Sequence, residues 1–424
     1  FRADHTRFRE LVTVPGDWSA DPAQFPRQGV VTYRLTVILP PGVPEVLGLY
    51  FKGVATSYRL FCNGALMTEN GTVSRDPDGV RGSYAPQSIS LSAHDRLDIV
   101  LQCANAEDSR AGLIDAPLIG LHSRIAPLQS NQTLIDAIVY AAILAMGLYH
   151  ILLSLIHPAE KASLYFGFLA VVLALRGALT GARILHQVAS GVGFHVLISA
   201  EYITVYLSAL LIYFYFAHLF SHECPRFARI PLLVVNLAYC VFVSAAPVRS
   251  ISPIHFYYEL FLLAEGVLIT VWLVRSLAAR REGAVIMLAG FLILLGGAVF
   301  DIVRDMTHTG SFFLTSYAMV IFILLQSWLI ARRSALAYVS AQDNSRKAEE
   351  LASSYARFVP KEFLKLLGKD TIEHVNLGDQ IEMKLTVLFA DIRSFTSLSE
   401  QMTPVENFNF LNSYLSRMGP VVRR

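Results

Sequence analysis

Residues 134–156 read LIDAIVYAAILAMGLYHILLSLI, and this stretch indicates the class of fold. It is almost continuously apolar, and a helix needs about 20 such residues to cross the hydrocarbon core of a bilayer. The composition agrees, because 54% of the 424 residues are hydrophobic and only 16% are charged, with a mean hydropathy of +0.47. Soluble chains of this length rarely carry so little charge. We therefore expect a membrane protein.

Further apolar segments follow the first one as far as Arg333. The predicted spans are about Leu134–Ile156, Ala162–Gly181, Phe194–Phe220, Ile230–Ala246, Ile254–Val274, Gly283–Val303 and Phe312–Ala331. The fourth is the shortest of the set. The pattern predicts a seven-helix transmembrane bundle over residues 134–333. Because seven is odd, the two ends of the chain are expected on opposite sides of the membrane.

Loop charge predicts the orientation. The loops after the first, third, fifth and seventh spans carry Lys161, Arg226, Arg229, Arg275, Arg280, Arg281, Arg332 and Arg333. The other loops carry only Arg183, Arg249 and Arg304. Lys and Arg are enriched in cytoplasmic loops, so we expect the N-terminal region outside and the C-terminal region in the cytoplasm. The net charge of +2, without a basic cluster, favours no nucleic-acid partner.

Residues 1–126 have a different pattern, in which short apolar runs alternate with turn signals. The predicted strands are VVTYRLTVILPPG, EVLGLYFKGV, SYRLFCNG, QSISLSA and RLDIVLQCAN. Asn63-Gly64 and Asn70-Gly71 are predicted turns. This region is predicted to be an all-β sandwich or jelly roll. Cys62 and Cys103 either form a disulfide or are two buried strand residues.

Residues 334–378 are polar and connect the last span to the C-terminal region. Ser334–Tyr355 favours a helix, which is either a weak coiled coil or a solvated connection. Pro360 is predicted to open a short helix that Gly368 closes. The candidate heptad positions are Ala341, Ala348 and Tyr355 at one seam position and Ala337, Asn344, Leu351 and Phe358 at the other.

The C-terminal region, residues 379–424, contains the stretch LTVLFADIRSFTSLSEQMTP at 385–404. The apolar run Leu385–Ala390 predicts a buried strand that ends at the carboxylate of Asp391. Thr403-Pro404-Val405-Glu406 has the form of a capping box that opens a helix. A strand, a carboxylate, a polar turn and a helix suit a divalent cation and a polyphosphate. The alternative role for Asp391 is a structural N-cap.

FADIRSFTSLSE resembles the opening motif of class III nucleotide cyclases. Phe389, Asp391, Ile392, Phe395 and Thr396 match that motif, whereas Ser394 stands where Gly is usual. The resemblance implies that 379–424 is the N-terminal part of an α+β cyclase domain. It also implies metal ligands, the Asp391 side chain and the Ile392 carbonyl. The nucleotide-binding turn would comprise Asp391, Ile392, Arg393, Ser394, Phe395 and Thr396.

The activity that this resemblance implies is conversion of ATP to cyclic AMP and pyrophosphate at a homodimer interface, with two Mg²⁺ or Mn²⁺ ions per site. GTP as the substrate, or a non-catalytic cyclase-like domain on a ligand-binding receptor, are the alternatives. The second metal-binding Asp and the base-reading residues of the family are expected beyond Arg424. We therefore expect residues 1–424 alone to be inactive.

TYRLTVILP, SYRLFCNG and RLDIVLQCAN resemble the galactose-binding-like jelly roll of sugar-binding modules. Together with seven spans, the layout resembles bacterial seven-transmembrane receptors with diverse intracellular signalling modules. The resemblance implies a multi-pass protein of the bacterial inner membrane whose periplasmic or extracellular domain binds a carbohydrate or another small ligand. The candidate contacts are Trp18, Tyr84, Arg81 and Asp115.

Ionisable residues within membrane spans usually face the bundle interior or a polar cavity. Glu201 and Glu265 are flanked by apolar residues and are candidates for ligand binding or signal transmission. Arg176 and Glu259 also fall within spans. Asp136, Asp301, Arg304 and Asp305 are expected at the membrane interface. Hydrogen-bonded bundle histidines are favoured over haem or metal ligands for His150, His218, His222 and His255.

Overall fold

The structure is a computed structural model of the chain. It describes residues 11–16, 18, 28–41, 46–92, 95–108, 110–158, 161–189, 191–224, 226–307, 314–358, 361–371 and 374–422. The chain divides into two compact units, 1–337 and 338–424. The first unit contains the strands and the apolar helices, and the second contains the C-terminal segment.

The N-terminal part of the first unit is strand-rich. The strands are β1 (Gly29–Ile38), β2 (Val46–Phe51), β3 (Val54–Ala55), β4 (Ser57–Cys62), β5 (Ala65–Asn70), β6 (Gln87–Ser92), β7 (Arg96–Asn105), β8 (Gly112–Leu113) and β9 (Leu118–Leu121). One sheet has the order β1-β7-β4-β5, a second has the order β6-β2-β9, and β3 pairs with β8. All these pairings are antiparallel.

The two larger sheets share one apolar core. Leu49 of β2 packs in the same buried cluster as Leu60 of β4 and Leu101 of β7. At the hairpin between β4 and β5, Asn63 and Gly64 both have positive φ, at 49° and 84°. That geometry is typical of a tight hairpin turn and explains the Asn-Gly pair. The five predicted strands correspond to β1, β2, β4, β6 and β7 and are confirmed.

The cysteines of this domain are free, so the disulfide alternative is wrong. In the β4–β7 pairing, Cys62 lies opposite Ile99, whereas Cys103 lies opposite Tyr58. Four residues of strand separate the two positions by about 13 Å, which is beyond the roughly 7 Å that a disulfide spans between Cα atoms. Both side chains are buried. The alternative of two buried strand residues is confirmed.

The described residues after β9 are mainly helical. The helices are α1 (His122–Ile156), α2 (Lys161–Leu179), α3 (Ile184–Val188), α4 (Phe194–Leu219), α5 (Arg229–Ala245), α6 (Val248–Ala278), α7 (Ala284–Thr307), α8 (Leu314–Phe358), α9 (Lys361–Leu366), α10 (Phe395–Ser399) and α11 (Pro404–Val422). In lipid a helix satisfies its backbone polar groups internally, which is why long apolar segments adopt this form.

Six helices in the described part of the chain are long and apolar enough to cross a membrane. They are α1, α2, α4, α7 and α8, together with Pro253–Ala278 of α6. The fourth predicted span is the shorter apolar helix α5. Each predicted span thus coincides with a helix, while the count of seven spans stays a prediction. The helices share a buried core that includes Phe166, Tyr215 and Phe322.

The last span and the polar segment after it form one continuous helix, α8, rather than two elements. Within the second unit, α9 ends just before Gly368, which has a φ of +67°. Pro360, predicted to open this helix, lies outside the described residues. The predicted closure of this short helix by glycine is therefore confirmed.

The predicted strand Leu385–Ala390 is wrong. The described residues of 374–422 contain no strand, and Leu385, Val387 and Phe389 are exposed, Phe389 to 92%. A strand requires a hydrogen-bonded neighbour, and no described segment of this unit supplies one. The run is irregular and its apolar side chains are uncovered. The start of an α+β cyclase domain therefore stays a prediction.

Candidate functional site

The cyclase-like motif lies on an exposed turn that leads into α10. Asp391 is exposed, and its Oδ1 accepts a hydrogen bond from the N–H of Ile392 at 2.8 Å. The carbonyl of Ile392 in turn accepts the N–H of Phe395 at 3.1 Å. These two bonds bring the Asp391 carboxylate and the Ile392 carbonyl to the same short turn. Arg393 and Thr396 are also exposed.

Ser394 stands at the position where the resembling motif has Gly, and it adopts a left-handed conformation with a φ of 58°. Glycine populates this region freely, whereas other residues resist it. The left-handed backbone at this position is therefore consistent with the glycine in the resembling motif. Phe395, at the start of α10, stacks on Phe410 of α11 with ring centroids 6.2 Å apart. This contact joins the turn to the longest helix that follows it.

The oxygen donors of this turn are of the kind that Mg²⁺ prefers. Asp391 and Ile392 supply two such donors on one exposed turn. In the described residues, no group of three or more His, Cys, Asp or Glu side chains is arranged to hold a metal ion. The turn therefore fits one side of a metal site, and its remaining ligands would have to come from elsewhere.

A second candidate site is a cavity of about 360 Å³ between the strand-rich domain and the helices. The ring of Tyr84 packs against Phe194 at the start of α4, with centroids 5.2 Å apart. The Arg183 guanidinium, which follows α2, lies 4.6 Å from the centroid of the same ring. These contacts place the end of α2 and the start of α4 against the strand-rich domain. The cavity opens between them.

Charged residues from both parts line this cavity. Helices and the loop after α2 contribute Arg176, Arg183, Glu201, Glu259, Glu265, Asp301 and Arg304, and the strand-rich domain contributes Lys52, Arg110 and Asp115. Burial lowers the pKa of Lys52, although the Asp115 carboxylate opposes that effect. Burial and the adjacent Asp108 carboxylate raise the pKa of Tyr84, whose hydroxyl donates to Asp108. The cavity thus combines both signs of charge.

Several residues singled out from the sequence meet here. Glu201, Glu259 and Glu265 line one cavity, as do Tyr84 and Asp115 from the strand-rich domain. Trp18 is instead a core residue, packed in the same buried cluster as Leu49. Arg81 donates to the carbonyls of Asp78 and Val80 at the surface. Lys52 and Arg110 were missed, because nothing local in a β loop indicates that it will face a helix bundle.

Two of the residues expected at the membrane interface are buried within the protein, and their depth in the membrane stays a prediction. Asp136 is 8% exposed and accepts the N–H of Ala182 at 2.8 Å, and Arg304 is 9% exposed. Asp301 accepts the N–H groups of Leu314 and Thr315 at the start of α8, both at 2.9 Å. Asp301 thus accepts hydrogen bonds from N–H groups that have no partner within the helix because they lie at its start. The side chain of Asp305 lies outside the described residues.

The histidines have separate environments, and none belongs to a metal-type cluster in the described part of the chain. The Nδ1 atom of His255 lies 3.3 Å from the Tyr206 hydroxyl, and its Nε2 atom lies 3.7 Å from Glu259. His150 is buried with no hydrogen-bond partner among the described residues and packs edge-on against Phe166. The hydrogen-bonded interpretation is therefore confirmed for His255 and wrong for His150. His218 lies near Tyr165, and His222 is exposed.

Comparison with known families agrees with the helical layout. Residues 132–333 match the family described as 7TM diverse intracellular signalling, so a domain of this type is present in the chain. The matched region covers the seven apolar helices that correspond to the predicted spans, up to the first part of α8. The cavity-lining residues of the helices fall within it.

Two curated relatives are adenylate cyclases by name. The chain is 40% identical over 81 residues to an adenylate cyclase of Anabaena cylindrica, which is 19% of this chain and 16% of the relative. It is 37% identical over 84 residues to the terminal-differentiation-specific adenylate cyclase of Dictyostelium discoideum, 20% of this chain and 4% of the relative. The chain thus spans only a small part of either relative's length.

The solved structures with a local likeness to the chain include two glycosidases. One is a GH2 beta-galacturonidase from Eisenbergiella tayi, 16% identical with a TM-score of 0.22, covering 27% of this chain and 21% of that one. Another is beta-glucuronidase 3 of Bacteroides uniformis, 15% identical with a TM-score of 0.21, covering 26% and 18%.

Proposed function

We propose that the protein is a receptor-type membrane adenylate cyclase of the class III kind. The observation that carries the proposal is the combination in one chain of a 7TM diverse intracellular signalling domain with a segment 40% identical to a named adenylate cyclase. The FADIRSFTSLSE motif supports the same assignment from individual residues. The proposed reaction is attack of the ribose 3′-hydroxyl on the α-phosphorus of ATP, with pyrophosphate leaving.

The turn at 391–396 would hold the triphosphate end of the nucleotide. Backbone N–H groups at a turn and at a helix start are suited to phosphate oxygens, and α10 begins directly after Ser394. Asp391 and Ile392 would hold Mg²⁺ or Mn²⁺, which supplies charge stabilisation for the attacking and leaving oxygens when bound. Arg393, exposed on the same turn, adds a positive charge near the phosphates.

A homodimer is part of the proposal, with the polar half of α8 as its pairing element. Leu351 and Tyr338 are exposed on this helix. Ion pairs such as Lys347 with Asp343, at 3.2 Å, lie on its surface and support the helical form. The small and polar residues of the heptad imply weak pairing, which suits a contact that changes during signalling.

The strand-rich domain is proposed to lie outside the cytoplasm as a sensor of galactose-binding-like jelly-roll type, for a carbohydrate or another small molecule. Its two antiparallel sheets around one core are the architecture that such a domain needs. The protein is proposed to lie in a bacterial inner membrane, and the loop charges of the helices support a cytoplasmic C-terminal region.

The test is product formation by membranes that contain the full-length natural protein. Each of ATP and GTP is supplied with Mg²⁺ or Mn²⁺, and the product is identified by mass spectrometry. Cyclic AMP from ATP is expected. Cyclic GMP alone would favour the guanylate cyclase alternative. No cyclic nucleotide with either substrate would favour a ligand-binding receptor with a non-catalytic cytoplasmic domain.

A further inference from the structure

The cavity in the helical part of the chain changes in polarity along its length. On α6, Glu259 lies toward the strand-rich domain, and Leu262, Glu265 and Ile269 follow in that order. The lining residues farthest from the strand-rich domain on the other helices are apolar, as Ile212 of α4 illustrates. Glu265 lies six residues beyond Glu259, or about 9 Å along the helix. It is therefore a carboxylate in the apolar half of the cavity.

Glu265 is almost completely buried and has no ion-pair partner among the described residues. Its side chain lines the cavity at 3% exposure, and neither carboxylate oxygen is hydrogen-bonded to any described residue. The uncharged Asn236 amide of the neighbouring α5 lies near this carboxylate. It donates to the Leu232 carbonyl at 2.8 Å and accepts from the Tyr258 hydroxyl at 2.7 Å. Buried carboxylates are normally paired, so this group lacks the partner that its burial requires.

The acids nearer the strand-rich domain have partners within the protein. Glu201 pairs with Arg183 at 3.5 Å, and Glu259 lies 3.7 Å from His255. Asp301 accepts two N–H groups at the start of α8. A ligand that entered the cavity would meet satisfied acids there. Beyond them it would meet apolar walls and the Glu265 carboxylate, which has no ion-pair partner among the described residues.

We propose that this cavity binds an amphiphilic organic cation, an amine with a compact apolar body, whose ammonium group pairs with Glu265. The volume of about 360 Å³ lies within the range of small-molecule sites. The apolar side chains around Glu265, including Leu262, Ile269 and Leu295, contact the body of the ligand. The ammonium group supplies the hydrogen-bond donors and the opposite charge that Glu265 lacks. This site is separate from the proposed cyclase segment and does not depend on it.

Three probes that share a similar apolar chain and differ in charge test whether the cavity requires a cation. The full-length natural protein in lipid nanodiscs is titrated with hexylammonium, hexanol or hexanoate at neutral pH, and the midpoint of thermal unfolding is followed. Hexylammonium is expected to raise the midpoint in a saturable manner, and the other two are not. Equal effects of all three probes, a preference for hexanoate or no saturable effect of hexylammonium would overturn the proposal. This comparison requires no variant.

Substitutions then assign the charge to Glu265. Glu265→Gln keeps the shape of the side chain and is expected to weaken hexylammonium binding by roughly 30-fold or more, the usual effect of removing one member of a buried charge pair. Glu265→Asp keeps the carboxylate and is expected to retain the preference for the ammonium probe. Glu282→Gln removes an exposed carboxylate between α6 and α7 and is the charge-matched control. Unchanged binding by Glu265→Gln would contradict the assignment.

Discussion

Thr403 and Glu406 are hydrogen-bonded to each other at the start of α11. The N–H and the hydroxyl of Thr403 donate to Glu406 Oε2 at 2.9 and 2.8 Å, and the Glu406 N–H donates back to the Thr403 hydroxyl at 3.4 Å. The predicted capping box is therefore confirmed. The backbone N–H of Thr403, and then its hydroxyl, hold the pKa of Glu406 below its ordinary value.

We predict that acid weakens the first turn of α11. Because the folded pKa of Glu406 lies below the unfolded one, its stabilising effect is present at neutral pH and is lost as the pH falls through the folded value. Hydrogen–deuterium exchange, corrected for intrinsic rates, should show lower protection of this turn in acid. Glu406→Gln should lower protection at neutral pH and remove the pH dependence. Glu400→Gln, at the exposed end of α10, is the control, and an equal effect there would contradict the prediction.

The two thiols of the strand-rich domain are buried and lie apart from each other. The β4–β7 register keeps Cys62 and Cys103 four positions apart, and burial raises the pKa of both. Both cysteines should therefore resist alkylation in the folded protein and react fully after denaturation without reductant. Peptide mass spectrometry measures this directly. A peptide pair linked through these two cysteines would contradict the register.

At the scale of elements, α1 and α2 approach closely where two glycines meet. A Cβ atom on Gly167 would lie 2.8 Å from the Gly147 carbonyl and 2.9 Å from the Ile151 backbone nitrogen. Backbone atoms cannot move aside cheaply, and small residues are what permit such helix contacts in membranes. We predict that Gly167→Ala destabilises the fold by about 1–3 kcal/mol. Thermal unfolding in nanodiscs measures this.

Gly191→Ala is the matched control, because a Cβ atom there meets nothing within 4 Å. It should unfold at the wild-type temperature. If Gly167→Ala were also neutral, the close packing of α1 on α2 would be wrong.

Elements with a local signal could be predicted from sequence. Leu134–Ile156 is apolar over its whole length, and Asn63-Gly64 favours a hairpin by its own backbone preferences. Leu385–Ala390 has the composition of a buried strand, yet pairing depends on segments distant in sequence, and the structure leaves this run unpaired. The cavity likewise depends on segments that are distant in sequence. Glu265 was notable in sequence, but its approach to the apolar lining of other helices results from tertiary packing.

At the scale of the whole molecule, the predicted orientation can be tested with two engineered cysteines. Leu66 of β5 and Leu351 of α8 are both 55% exposed, so their reactivities are matched apart from the side of the membrane. Cells are used from which any outer membrane has been removed and whose inner membrane is intact. In these cells a membrane-impermeant maleimide should label Leu66→Cys and not Leu351→Cys. Permeabilised cells should label both. The reverse pattern in intact cells would contradict the orientation.

The proposed activity is tested most directly by the effect of Asp391→Ala on cyclic AMP formation from ATP by membranes with the full-length natural protein. Asp379→Ala is the control, because that carboxylate pairs with Lys369 at 3.3 Å and lies outside the motif. We predict that Asp391→Ala lowers the rate by at least about a hundredfold, as expected for loss of a group that holds the catalytic charge, while Asp379→Ala retains activity. A rate that survives Asp391→Ala would contradict the assignment of the 391–396 turn as the nucleotide site.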